Sequence, residues 1–207
     1  MRTLLLCLGL GASVAVVVAA CGGEEGVDCE CDAVGCFAAM CTKTAFVLAE
    51  PMATNFGGVS AVDQMCAQQA AAAGLPGTYL AWLAQDSGGP ADRFSQSTVP
   101  YTLPDGTMLA ADWEVLTSTG PTSPIDMTAA GTKVEAADDD HVWTGTDRAG
   151  EANDFNTASN YCSGWSRNNI MDFVVVGFLR QRGKVGDWAL GNLVPCTGQG
   201  YVYCFQQ

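Results

Sequence analysis

Cationic residues are scarce: Lys and Arg number nine in 207 residues, against twenty-two Asp and Glu, for a formal charge of −13. A surface with that average repels nucleic acid, heparin-like polyanions and anionic lipid head groups, so none of these is an expected partner, and the closest local concentration of cations, Arg180, Arg182 and Lys184, is expected to give at best weak, salt-sensitive attachment. Histidine is scarcer still. His141 is the single one, and any Ser-His-Asp or Cys-His arrangement would have to use it. It directly precedes Val142-Trp143, where a surface or strand-edge role is expected. The chain has no G-x-S-x-G elbow, H-E-x-x-H helix, P-loop or dinucleotide G-x-G-x-x-G, so a non-enzyme is expected. Beyond the first twenty residues no membrane-length apolar run occurs; Phe173–Leu179 reads as a buried strand too short to span. Charged residues are only 15% of the chain while AVILMFWYC reach 48%, which excludes a disordered acidic tail. Internal repeats and low-complexity segments are absent too.

What is present begins at the N-terminus. Arg2 supplies a positive start, and Leu4 to Ala20 forms an apolar run with the form of a signal peptide over residues 1–20. It ends Val18-Ala19-Ala20-Cys21, an aliphatic residue and two small residues before Cys, which resembles a bacterial lipobox. That resemblance implies cleavage before Cys21, diacylglycerol and palmitate on Cys21, and attachment to the membrane by lipid rather than by a span. Gly22 after the Cys favours the outer membrane. Cleavage removes Arg2 and leaves eight cations and a charge of −14.

Ten cysteines in 207 residues point to an oxidising compartment. Residues 21–43 form a stalk holding Cys29, Cys31, Cys36 and Cys41 among small and acidic residues. Four thiolates are one way to wrap a zinc ion, but paired C-x2-C knuckles are missing. Two short-range disulfides stapling the stalk are expected instead, with the pairing open except that Cys29 and Cys31 sit too close for a relaxed bridge.

Residues 44–207 read as an α+β domain. Thr44–Leu48 forms a strand and Asn55-Phe56-Gly57-Gly58 a turn, and Ser60 with Asp63 gives an S-x-x-D helix start. Val62, Met65, Cys66, Ala70 and Ala73 recur at helical spacing, which puts Cys66 on the buried stripe; Gly74 and Pro76 end the helix. Strands follow at Thr78–Leu83 and at Val99–Leu103 with Thr107–Leu109, which are joined by a Pro104-Asp105-Gly106 turn. A short helix starts at Asp112. Further strands are expected at Val142–Thr146, Phe173–Leu179, Trp188–Leu190 and Gly200–Phe205, and the long stretch Asp147–Asn169, rich in Gly, Asn, Ser and Asp, is expected to supply the loops for binding.

Several of these segments together resemble the endostatin domain and its bacterial lipoprotein relatives, a variant of the C-type-lectin-like fold. Gly58, Asp63 and Cys66 match the family's G-x-x-G-A-D-x-x-C, while Ala61 and Val62 depart from it. Gln68-Gln69 and Ala73-Gly74-Leu75-Pro76-Gly77-Thr78-Tyr79-Leu80-Ala81-Trp82-Leu83 follow its helix, turn and aromatic strand. Val142-Trp143-Thr144-Gly145-Thr146, Tyr161-Cys162-Ser163-Gly164-Trp165, Cys196 and Tyr203-Cys204 complete the match. The resemblance implies a mixed, mainly antiparallel sheet with one main helix and long polar loops, and nested bridges Cys66–Cys204 and Cys162–Cys196. Trp82, Trp143 and Trp165 are then expected in the core. The family's zinc ligands are mostly histidines at the domain start, where Thr44-Ala45-Phe46-Val47-Leu48 offers none.

Lectin-type calcium sites use E-P-N or Q-P-D, and Glu50-Pro51-Met52 is the nearest string. No cofactor is expected. The acidic group Asp138, Asp139, Asp140, Asp147, Glu151 and Asp154 reads first as a solvated loop and only second as a calcium site. Taken together, the expectation is a non-catalytic cell-surface lipoprotein of the bacterial envelope that binds a protein or a glycan. The alternative is a structural envelope lipoprotein with no small ligand.

Overall fold

Consecutive apolar residues along the first described strand send side chains to both of its faces. In the computed structural model, which describes residues 42–135, 140–153, 160–180 and 188–207, strand β1 spans Lys43–Val47. Phe46 joins one buried cluster, and Ala45 and Val47 join another. Around it lies a five-stranded sheet in the order β2 (Tyr79–Ala81), β8 (Tyr203–Gln206), β1, β3 (Tyr101–Thr102), β4 (Met108–Ala110). All its neighbours run antiparallel except β1 and β3. The first and last strands of the unit Thr42–Gln207 are therefore hydrogen-bonded partners, with Phe46 opposite Cys204.

A second, three-stranded antiparallel sheet has the order β5 (His141–Trp143), β6 (Asn169–Phe178), β7 (Asn192–Cys196). The C-terminal segment reaches both sheets. The Tyr201 N–H donates to the His141 carbonyl and the Trp143 N–H to the Tyr201 carbonyl, while Val202 accepts from Leu48. The fold is thus mixed α+β, mainly antiparallel, with few helices.

Helix α1 (Val59–Ala72) covers one face of the five-stranded sheet, burying Val59, Val62, Cys66 and Ala70. Cys66 is bonded to Cys204 on β8, and Cys162 to Cys196 on β7. The opposite face carries an aromatic cluster in which Trp82 lies 4.6 Å from Trp188 and 5.2 Å from Phe205, centroid to centroid. Trp82, Trp143 and Trp165 are fully buried, and each indole N–H finds an acceptor: Thr146 Oγ1, the Met52 carbonyl and the Ala84 carbonyl.

Four local expectations need correction. The S-x-x-D signal at Ser60 and Asp63 does not start the helix. Gly58 is the N-cap, with φ 97°, and no side chain caps it. Asp63 is drawn away by a better arrangement. One carboxylate oxygen accepts from the Ala81 N–H at 2.8 Å and the other pairs with Arg93 at 2.6 Å, and Arg93 also donates to the Ala81 and Leu83 carbonyls. Arg93 belongs to a short helix, α2 (Pro90–Arg93), not foreseen from sequence. The Trp188–Leu190 strand is a turn lying on β6, so close that a Cβ at Gly177 would collide with the Trp188 carbonyl. The third correction concerns the polar stretch before β6: Asn160–Trp165, labelled α4, has Tyr161 to Gly164 in left-handed conformation. Last, Phe173–Leu179 is not buried throughout, since Phe173 is 43% exposed. The helix α3 (Trp113–Ser118) does start as read, with the Asp112 carboxylate accepting from the Val115 N–H at 2.7 Å.

Candidate functional site

Strand β6 departs from its partner at its N-terminal end. Asn169 faces Cys196 and Phe173 faces Pro195, so Ile170, Met171 and Asp172 have no counterpart on β7 and bulge out of the ladder. The bulge is held by one side chain. Asn169 Oδ1 accepts from the N–H groups of Met171 at 2.8 Å and Asp172 at 2.9 Å, while its Nδ2 donates to Asp172 Oδ2 at 2.7 Å. These bonds fix the backbone that carries two apolar side chains into solvent. Ile170 is 67% exposed and Met171 82%.

The base of this tip is apolar as well. Phe173 and Leu193 lie on the same face of the hairpin, by the pairing of Phe173 with Pro195 and Val175 with Leu193, and Leu193 is 46% exposed. The other face of the same strands, Val174, Val176 and Val194, is core. Four of the five large exposed hydrophobics among the described residues therefore belong to one hairpin, with Met108 the fifth. Large apolar side chains gathered on one part of a surface, rather than scattered singly, are what often serves as a contact surface on a monomer.

The tip stands on a rigid base. Arg167 and Cys196 carbonyls both accept from the Thr54 hydroxyl, and the Trp165 carbonyl accepts from the N–H groups of Gly57 and Gly58 at the start of α1. The bridge from Cys162 to Cys196 ties the left-handed turn to β7 directly opposite Asn169. Sequence reading missed this surface because Ile, Met and Phe beside an apolar run look like more core. The usable signal was Asn169 followed by Asp172, a pair able to cap a turn.

The residues singled out from sequence are placed as follows. Cys21, Cys29, Cys31, Cys36, Cys41, Asp138, Asp139 and Asp154 lie outside the described residues. Asp147 accepts the Glu151 N–H at 2.9 Å and donates its own N–H to the Glu151 carbonyl, so its carboxylate closes a turn. The Asp140 carbonyl accepts from Leu179 at the end of β6. Among the described residues no group of three or more His, Cys, Asp or Glu side chains is arranged to hold a metal ion. His141 is half-buried in β5, its ring 5.9 Å from that of Phe178. Of the basic triplet Arg180, Arg182 and Lys184, only Arg180 is described. It turns inward, with Nη2 on the Val134 carbonyl and Nε 3.6 Å from the buried Asp126 carboxylate, which also lies 3.4 Å from Lys133. No helix among the described residues is long and apolar enough to cross a membrane.

Comparison with known proteins finds no family model that matches this chain and no curated protein similar to it.

Proposed function

We propose that this chain is a non-catalytic recognition lipoprotein of the bacterial envelope, in which a disulfide-locked domain presents the Ile170–Met171 tip to a protein surface. The observation that carries the reading is the tip itself. A two-sided core buries all five tryptophans, yet two large aliphatic side chains beside it are held in water by a dedicated asparagine. Exposed apolar groups without a partner cost solubility and are normally removed from a surface. A rigid scaffold carrying a preorganised anchor loses little entropy on binding.

The endostatin-like, C-type-lectin-like fold belongs to the same proposal. What supports it is the pairing of β1 with β8, the one long helix among the described residues, bonded to the last strand through Cys66 and Cys204, and the second bridge nested inside it. Display from the membrane rests on the lipobox-like Val18-Ala19-Ala20-Cys21. An acyl group on Cys21 anchors the stalk, residues 21–43, and leaves the domain free to bind. The recognition role predicts saturable binding of the mature chain to bacterial cell-surface protein fractions at physiological salt. Binding that rises linearly with concentration contradicts it. For the anchor, Cys21→Ser moves the protein out of the membrane fraction; unchanged partition contradicts lipidation.

A further inference from the structure

Most of the described side chains that a two-electron oxidant attacks are closed to it in this fold. The four described cysteines are bonded in pairs, Cys66 to Cys204 and Cys162 to Cys196, and offer no thiol. All five tryptophans are buried, the most open being Trp113 at 8%. Of the described methionines, Met127 is buried, and Met52 and Met65 are partly buried and pack against the core. Two thioethers are left in water, Met171 at 82% exposure and Met108 at 55%. Met108 lies on β4, at the edge of the five-stranded sheet, whereas Met171 stands in the bulge of β6 in the other sheet. We propose that Met171 is an oxidation site, at which an oxidant of the peroxide class converts the thioether to the sulfoxide and breaks the contact made by the tip. This rests on the reading of the tip as a recognition surface and names its regulation.

The step is an oxygen transfer. A sulfur lone pair attacks one peroxide oxygen, the O–O bond breaks, an S–O bond forms, and the second oxygen leaves as water. Sulfur gives up two electrons, the peroxide takes them, and no bond of the chain is cut. The product exchanges an apolar, polarisable group for a polar one that accepts hydrogen bonds.

Two features of the bulge make that exchange consequential. The first is fixed backbone. Asn169 Oδ1 accepts from the N–H groups of Met171 and Asp172, so the chain beneath the thioether is held in place. A loose loop could turn a sulfoxide away from a partner, whereas this one presents it where the thioether stood. The second is the company it keeps. Ile170, Phe173 and Leu193, the other large exposed side chains of the hairpin, carry no hydrogen-bond donor. The amide Nδ2 of Asn169 is engaged with Asp172 Oδ2. A partner that covers the tip therefore strips water from the new oxygen without replacing the lost bonds, and an acceptor buried in that way opposes binding.

The test uses the mature chain, residues 21–207, carrying Cys21→Ser and treated with hydrogen peroxide until part of the sample is oxidised. Peptide mapping by mass spectrometry should find sulfoxide at Met171 and Met108 ahead of Met52, Met65 and Met127. The same sample is then passed over immobilised bacterial cell-surface protein fraction, and the bound and unbound pools are mapped. Met171 sulfoxide should be enriched about tenfold or more in the unbound pool, as expected for a residue at the centre of a contact, with Met108 sulfoxide evenly divided. Circular dichroism confirms that the oxidised chain is folded. Oxidation of the buried methionines ahead of Met171, or exclusion that tracks Met108 instead, overturns the proposal. Untreated chain without saturable binding overturns the reading of the tip and this proposal with it. Saturable binding with Met171 sulfoxide evenly divided between the pools refutes the oxidation site's control alone.

Discussion

Tyr161, Cys162, Ser163 and Trp165 have φ between 49° and 62°, where an L side chain crowds its own carbonyl at a cost of about 1–2 kcal/mol per residue. Tyr161, Cys162 and Trp165 are compensated by burial, a bridge and a ring stack: Phe56 lies 5.3 Å from Trp165, and the Cys162–Cys196 bond closes beneath them. Ser163 is only half-buried, so removing its Cβ relieves strain with little loss. Ser163→Gly should raise stability by about 1 kcal/mol in urea denaturation; an unchanged or lower midpoint would mean that the turn is unstrained. A second residue-scale expectation concerns tyrosines. Burial, aided by the charge of Asp112, pushes the Tyr101 hydroxyl up to about 12, and burial raises Tyr203 as well. A folded pKa above the ordinary value of about 10 means that the native state holds protons the unfolded chain releases. Stability is therefore full below pH about 10 and is lost as pH rises toward 12, with about 2–3 kcal/mol from Tyr101 alone. Lys43, lowered by burial, acts in the opposite sense below its ordinary range. Phenolate absorbance should lag behind normal titration and then rise together with loss of circular dichroism. Phenolates that appear while the fold persists would contradict the burial of Tyr101 and Tyr203.

At the scale of elements, the two bridges and the bulge do different work. The bond from Cys66 to Cys204 closes a loop of 138 residues, whereas that from Cys162 to Cys196 closes one of 34. In the chain-entropy description these are worth about 5 and about 4 kcal/mol. Replacing Cys66 and Cys204 by Ala should lower the denaturation midpoint more than replacing Cys162 and Cys196. The reverse order would mean that the left-handed turn, not chain entropy, dominates. The bulge depends on Asn169. Asn169→Ala removes the bonds to Met171 and Asp172, should cost about 1 kcal/mol, and should weaken binding several-fold although every apolar side chain remains. Retained affinity would show that the apolar groups act without being positioned. Much of this level was legible in the sequence. The helical spacing of Val62, Cys66 and Ala70 marked the buried face of α1, and Pro104-Asp105-Gly106 marked the turn between β3 and β4, closed by Gly106 on the Leu103 carbonyl. The bulge was not. Periodicity reports which residues alternate, not where the register shifts, and between Pro195 and Cys196 β7 offers no partner to three residues of β6. Asp63 misled for a related reason. A carboxylate three residues after Ser60 looks like a cap, but the nearby Ala81 N–H and Arg93 guanidinium bind it more strongly.

For the whole molecule, charge excludes and shape selects. A net charge of −13 disfavours polyanions on average, and Arg180, near the end of β6, is engaged with Val134 and Asp126. Among the described residues, the surface proposed for binding is an uncharged apolar anchor on a scaffold locked by two bridges. Sequence reading assigned recognition to the polar stretch Asp147–Asn169 because loops of Gly, Asn, Ser and Asp are where binding residues gather. In the structure the described part of that stretch closes on itself, through Asp147 and Glu151 and through the left-handed turn, and the exposed anchor begins at the residue after it. The most direct test compares wild type with Met171→Asp in saturation binding to the cell-surface protein fraction, with thermal unfolding recorded on the same samples. Met171 is 82% exposed, so the substitution should change stability by no more than about 0.5 kcal/mol. The account predicts an unchanged melting temperature together with loss of saturable binding. Equal binding by the two proteins would contradict it.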